Sequence, residues 1–434
     1  MITHPTGELR NEKYRPQFHF TPTRNWMNDP NGLFYYKGKY HLFFQHNPQA
    51  IVWGNMSWGH AVSTDLYNWD ELSVAINCTD TTGIFSGSAV VDHNNTSGFG
   101  SRENPPIVAI FTEHQNDESN QSQCLAYSLD EGLTFTKYEG NPVLNINEKN
   151  FRDPKVQWID SQWIMTVALA NEFKISFYSS PDLKNWKHLS DFGPAAEVGG
   201  VWECPDLINF GDKWVLLVSL NPGGYQVGSG TQYFIGRWTG SEFIADDTNT
   251  RWLDYGRDNY AGVTFSNTDN NKKIFLGWMS NWHYAPKVPT DPWRSAMTLP
   301  RELSLRGDRL IQTPIAHPQG FPEVSFTTQE GSVKIAENEN RYVEIGVRDN
   351  KLFVDTSRAW NDLEAPTLQE IPVGDREVDI RVIIDRGSIE VFADKGAISV
   401  TNLIFVDTAL SAVVPIGEVH GLIAQQLLIE AQGL

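Results

Sequence analysis

Cysteine is nearly absent from this chain: Cys78, Cys124 and Cys204 are the only three. The count is odd and no pair is spaced CxxC, so neither a disulfide framework nor a structural zinc site is implied. Positive charge is scarce as well. There are 34 Lys and Arg against 53 Asp and Glu, a formal net charge of −19. A field of that sign repels nucleic-acid phosphates and anionic membrane surfaces, so neither is an expected partner. No local basic cluster invites a phosphorylated substrate. No apolar run approaches the length that spans a bilayer. The opening segment MITHPTGELRNEKYRPQ has no apolar core of a secretory signal. That points to the cytoplasm, although a secreted form with its signal removed would read the same way. Long amphipathic helical patterns are also missing.

What is present is β-forming. The 434 residues suffice for two domains, and a 40% hydrophobic fraction supports packed cores. Aromatics are abundant, with 15 Trp, 14 Tyr and 23 Phe. They serve as core material or as stacking faces for sugar rings, and composition alone does not separate the two. Short runs of Val, Ile, Phe, Tyr and Trp are broken by Gly, Asn and Asp turns. Leu33–Gln45 folds about a Lys-Gly turn, Val156–Leu169 about Asp160–Ser161, and Leu207–Leu220 about Gly211–Asp212. Ser88–Phe111 and Val263–Ser280 are looser versions. A more polar strand pair follows each hairpin, and three of these carry a Ser-x-Asp signature: Ser63/Asp65, Ser128/Asp130 and Ser180/Asp182. Five units of four strands predict a five-bladed β-propeller over residues 1–316, each unit's first strand lining the axial channel. A sandwich or solenoid is the competing all-β architecture. The stretch PIAHPQGFP reads as a linker. Beyond it, residues 321–434 alternate apolar and polar positions, through to GLIAQQLLIEA, as in a small antiparallel β-sandwich with one buried face per sheet.

Three acids stand beside prolines at the entries of these units: Asp29 in NWMNDPNG, Asp153 in FRDP and Glu203 in WECPD. Asp-Pro and Asn-Gly are also ordinary turn formers. In a propeller, however, the five entries FSGS, GRDNYAG and these three open onto one end of the axial cavity. Proline stiffens the backbone and pushes the preceding residue towards extended geometry, which suits the rigid placement of a carboxylate. Two carboxylates are the minimal set for glycoside hydrolysis, and a third can order sugar hydroxyls. Arg152 suits a hydroxyl or a neighbouring carboxylate, or forms a structural ion pair. Trp26, Trp53, Phe85, Trp202 and Trp282 are candidates for an apolar pocket wall or for the core.

Taken together, WMNDPNG, Gln45, VWGNMSWGHAVS, FSGSAV, FRDPKV, WECPDL, DYGRDNYAG and GWMSNWHY resemble glycoside hydrolase family 32, nearest to its levanase, exo-inulinase and invertase members. DRGSIEVFADKGAISVTNLIF (Asp385–Phe405) resembles the family's C-terminal sandwich. The resemblance implies a five-bladed propeller plus sandwich, and retaining hydrolysis of β-fructofuranosyl bonds in sucrose, inulin or levan. Carried onto this sequence, Asp29 is the nucleophile, Glu203 the acid/base and Asp153 the transition-state stabiliser. Asn28, Gln45, Trp53, Phe85, Ser86, Arg152, Trp282 and Asp258 match substrate-pocket positions. Burial beside Trp202 and the charge of Asp29 are expected to keep Glu203 protonated. No metal or organic cofactor is expected, and the chain is expected to be a monomer or homodimer. An inverting arabinanase, a fructosyltransferase and a non-catalytic fructan-binding protein are the alternatives.

Overall fold

The computed structural model describes residues 12–360 and 363–427. The expectations that fall on residues 1–11 and 428–434 lie outside the described residues. Five antiparallel sheets occupy the first part of the chain. Blade 1 runs through Asn25–Tyr36, Lys39–Asn47, Ser57–Ser63 and Trp69–Ile76. Blade 2 begins with Thr82–Val91 and Ile107–Gln115, followed by Gln121–Ser128 and Thr136–Lys137. Blade 3 comprises Phe151–Ile159, Gln162–Leu169, Lys174–Ser180 and Lys187–Phe192. Blade 4 comprises Val201–Asn209, Trp214–Asn221, Gly230–Trp238 and Phe243–Ala245. Blade 5 comprises Tyr260–Thr264, Ile274–Met279, Arg301–Arg306 and Arg309–Pro314. The first strands of neighbouring blades touch in sequence order, and that of blade 5 returns to that of blade 1, closing a ring. Trp293–Arg294 pairs in parallel with Asn25–Trp26 across this closure.

The turns explain the hairpins. Lys37 and Gly38 both have positive φ, as do Asp160 and Ser161. Such two-residue turns match the right-handed twist of the strands they join. Gly211, at φ +88°, leads the third tight turn. The Ser-x-Asp signature forms the bend between third and fourth strands. Ser63 Oγ accepts from the Asp65 and Leu66 amides, and the Asp65 carboxylate accepts from the Tyr67 and Asn68 amides at 2.9 and 2.7 Å. Ser180 and Asp182 repeat the arrangement.

Two five-stranded antiparallel sheets form the second part. Val324, Val333, Ile345, Val382 and Ile389 are among the side chains packed between them. The run GLIAQ departs from the expected pattern. His420–Gln425 is an edge strand beside Glu323–Thr328, and its residues are exposed except for the half-buried Leu422. It stands at the end of the sheet, with no strand on its far side among the described residues.

A buried polar network seats the sandwich on the propeller. Arg301 of blade 5 donates to Glu390 at 2.5 Å and to Asp254 at 3.3 Å. His19 contacts Asp385 at 2.8 Å and Glu390 at 2.7 Å. The Thr401 amide donates to Asp254 at 2.8 Å.

Candidate active site

Every inner strand carries the same defect. Pairing with the second strand slips between Met27 and Pro30, Ile84 and Gly87, Arg152 and Lys155, Glu203 and Asp206, and Tyr260 and Val263. In each case two residues oppose one, which is a β-bulge. The bulged pairs are Asn28-Asp29, Phe85-Ser86, Asp153-Pro154, Cys204-Pro205 and Ala261-Gly262. The acids therefore sit inside the inner strands, not before them as the sequence suggested. The prolines also act differently from expectation. Asp153 and Cys204, each preceding a proline, are not extended but left-handed, at φ +66° and +48°. A bulged residue leaves the ladder, so a proline's missing N–H costs no hydrogen bond there.

A bulge also breaks the in–out alternation of a strand, so consecutive side chains face one cavity. That cavity, about 360 Å³, is lined by Asn28, Asp29, Gln45, Trp53, Phe85, Ser86, Arg152, Asp153, Val201, Glu203, Asn221 and Trp282. One step further along the same inner strands the axis narrows to a void of about 10 Å³, bordered by Pro30, Pro154, Lys155 and Pro205. The pocket thus ends blindly at its acids.

Asp29 is buried and accepts from Ser86 Oγ at 2.6 Å and Asn28 Nδ2 at 3.0 Å. Burial raises its pKa, while these hydrogen bonds oppose the rise by favouring the carboxylate. Asp153 accepts from the Cys204 amide at 2.9 Å, and its own amide donates to Thr112 Oγ1 at 3.0 Å. Burial, then the nearby Glu203 charge, pushes Asp153 up to about 7, against the pull of Arg152. Glu203 Oε1 accepts from Arg152 Nε at 2.9 Å, and Oε2 accepts from the Tyr260 hydroxyl. Cys204 Sγ lies 3.6 Å from Asp29 Oδ2 and 3.5 Å from Asp153 Oδ2, so the two aspartates share one thiol neighbour.

Ten of the eleven residues singled out as the site line this cavity. Asp258 does not. It is fully buried, accepts from the Tyr284 hydroxyl and from the Leu403 amide at 2.8 Å, and so joins blade 5 to the sandwich. It lies in the bend before the inner strand Tyr260–Thr264 and its carboxylate meets the sandwich. Trp202 is likewise outside the pocket. It donates to the Glu197 carbonyl at 2.9 Å and packs among Phe192 and Phe234, so it does not shield Glu203. Trp26 lies behind the wall, stacked on Trp282 and bonded to Asn28. Sequence reasoning missed Tyr260, Cys204, Val201 and Asn221. Tyr260 and Cys204 fall within quoted motifs, GRDNYAG and WECPD, and adjacency to a blade entry was the available signal.

Comparison with known proteins agrees with this geometry. The glycosyl hydrolases family 32 N-terminal domain matches residues 19–314, and the family's C-terminal model matches residues 318–419. A levanase of Bacillus subtilis is 42% identical, over 91% of this chain and 67% of its own length. An extracellular exo-inulinase of Aspergillus niger is 37% identical, over 91% of this chain and 90% of its own. Among solved structures, exo-inulinase from Aspergillus awamori superposes with a TM-score of 0.87 at 34% identity, covering 95% of this chain and 97% of that one. A Schwanniomyces occidentalis β-fructofuranosidase complexed with fructosyl-erythritol gives 0.82 at 35% identity, covering 91% and 92%. The ring of five bulged sheets, the three acids at its blind pocket and both family models place this chain in glycosyl hydrolases family 32.

Proposed function

We propose that the protein is a retaining, exo-acting β-fructofuranosidase that removes terminal fructosyl units from sucrose and fructans. The observation that carries this reading is the blind pocket with two buried carboxylates, Asp29 and Asp153, and the half-buried Glu203 at its end, which admits a chain terminus and not a chain interior. The levanase, exo-inulinase and invertase names of the relatives support it.

Asp29 attacks the anomeric C2, assisted by Ser86 and Asn28, which fix its carboxylate. Glu203, oriented by Arg152 and Tyr260, gives its proton to the departing oxygen. The fructosyl–Asp29 ester forms as the glycosidic bond breaks. Glu203 then takes a proton from water, whose oxygen attacks C2 and frees Asp29. Asp153 hydrogen-bonds the sugar hydroxyls and stabilises the positive charge that develops on the ring. Trp53, Phe85 and Trp282 supply the apolar face, and Asn28 and Gln45 supply polar contacts.

The test is turnover of Asp29→Asn and Glu203→Ala. Asp29→Asn is expected to lose at least about a thousandfold in kcat. Glu203→Ala should lose far less in the first step on a substrate with an activated leaving group. NMR should show β-fructofuranose released first, and inulin and levan should give fructose alone. Near-normal turnover by Asp29→Asn, or oligosaccharide products, would overturn the assignment.

A further inference from the structure

A path of side chains leads out of the site through blade 2 and ends on a histidine. Arg152, which holds Glu203, also donates from Nη1 to Gln121 Oε1 at 3.3 Å. The other end of the Gln121 amide meets His114 Nδ1 at 3.2 Å. The direction of these bonds follows from chemistry. A guanidinium only donates, so the Gln121 oxygen faces Arg152 and its NH₂ faces His114. His114 Nδ1 must then accept, which requires a neutral ring with its proton on Nε2. The same ring stacks on Phe85 of the pocket wall, with centroids 4.4 Å apart and planes 14° apart. Phe85 in turn meets Trp53 edge-on at 6.2 Å.

We infer that His114 is a positioning residue for the reaction: through Gln121 it latches Arg152 in place against Glu203, and through Phe85 it backs the substrate pocket. Protonation of the ring at Nδ1 removes the acceptor. Gln121 must then drop His114, or turn its NH₂ towards the guanidinium and lose Arg152. Neutral His114 is therefore the active form, and acidification releases the latch. Burial and the Arg152 charge both favour the neutral ring, opposed by Glu118 and Asp117. The facing strands contribute Gly83 and Gln121 opposite His114, neither of which is charged.

This inference rests on the proposed acid/base role of Glu203, and two substitutions separate its parts. His114→Asn offers an acceptor oxygen near the place of Nδ1, does not titrate, and lacks the stacked ring. It should keep kcat near neutral pH, shift the acid limb of the pH–rate profile to lower pH, and raise KM. His114→Phe keeps the stack and loses the acceptor. It should keep KM and lose about five- to tenfold in kcat, the scale of one lost hydrogen bond. Thermal melting of both variants monitors folding, and the kcat–KM split is read from those that melt like the parent. If His114→Phe matched the parent in kcat and acid limb, or if both variants changed kcat and KM alike, the latch would be refuted. A turnover-competent Glu203→Ala would instead overturn the reading of the site on which it rests.

Discussion

Asp153 illustrates how a single buried group ties function to stability. In the folded protein it keeps its proton to about 7, whereas its ordinary value is 3.8. Between these values the folded state binds more protons than the unfolded state, so stability falls as pH rises from about 4 to about 7 and stays reduced above that. Asp153→Asn cannot ionise. It should melt a few degrees higher than the parent at mildly alkaline pH, lose most turnover, and show a flatter stability profile across this window. Melting curves across the window check this, and an unchanged slope would refute the buried-carboxylate account. Such a gain in stability with a loss of activity is the usual mark of a strained functional site.

At the scale of elements, the five bulges are the device that makes a site from strands. A regular strand turns consecutive side chains to opposite faces, so Asn28 with Asp29, Phe85 with Ser86, or Arg152 with Asp153 could not share a pocket. Gly87 shows how tightly one bulge is built. A Cβ there would lie 2.0 Å from the Ile110 carbonyl oxygen and 2.7 Å from Phe111 Cα. Both are backbone atoms and neither can rotate away. Gly87→Ala should therefore part the first two strands of blade 2, cost about 1–3 kcal/mol, and displace Ser86 from Asp29. A lower melting temperature together with reduced kcat is expected, and parental values of both would show the bulge to be adaptable. The hairpins, turn residues and acid-bearing segments were legible because they depend on local chemistry. The bulges were not, because a one-residue slip leaves little trace in composition. Trp202 was misjudged for another reason: it and Glu203 lie before the slip in regular pairing, so ordinary alternation sends Glu203 to the pocket and Trp202 to the core.

At the scale of the whole molecule, a buried charged network runs through the seam beside two apolar clusters, Tyr284 and Trp293 with Phe405, and Tyr67 and Leu299 with Phe321, Ile383 and Phe392. Burial alone would lower the His19 pKa, but Asp385 and Glu390 hold it up to about 9. Burial raises Glu390, yet Arg301 and His19 bring it down to about 2. The His19 contribution is fully present below 6.5, its unfolded value, and is lost as pH rises through about 9. The Glu390 contribution is present above 4.5 and is lost as pH falls towards about 2. His19→Leu leaves two buried carboxylates short of a partner and should cost about 3–5 kcal/mol. It should also flatten the alkaline decline in stability. Melting of parent and variant on either side of the His19 window measures both effects, and parallel profiles would place the seam's stability elsewhere.

The sequence by itself determined the all-β class, the repeated four-strand unit, the linker before the sandwich, and the three acids, because turn chemistry and strand alternation are written in neighbouring residues. Only the tertiary structure decided which way each side chain faces. It turned Asp258 into the seam and Trp202 into the core, and brought Cys204, Tyr260 and the His114–Gln121 pair to the acids. Those outcomes depend on ring closure, on the docking of the sandwich, on strand register and on bulges, all of which arise from contacts between residues distant in the chain.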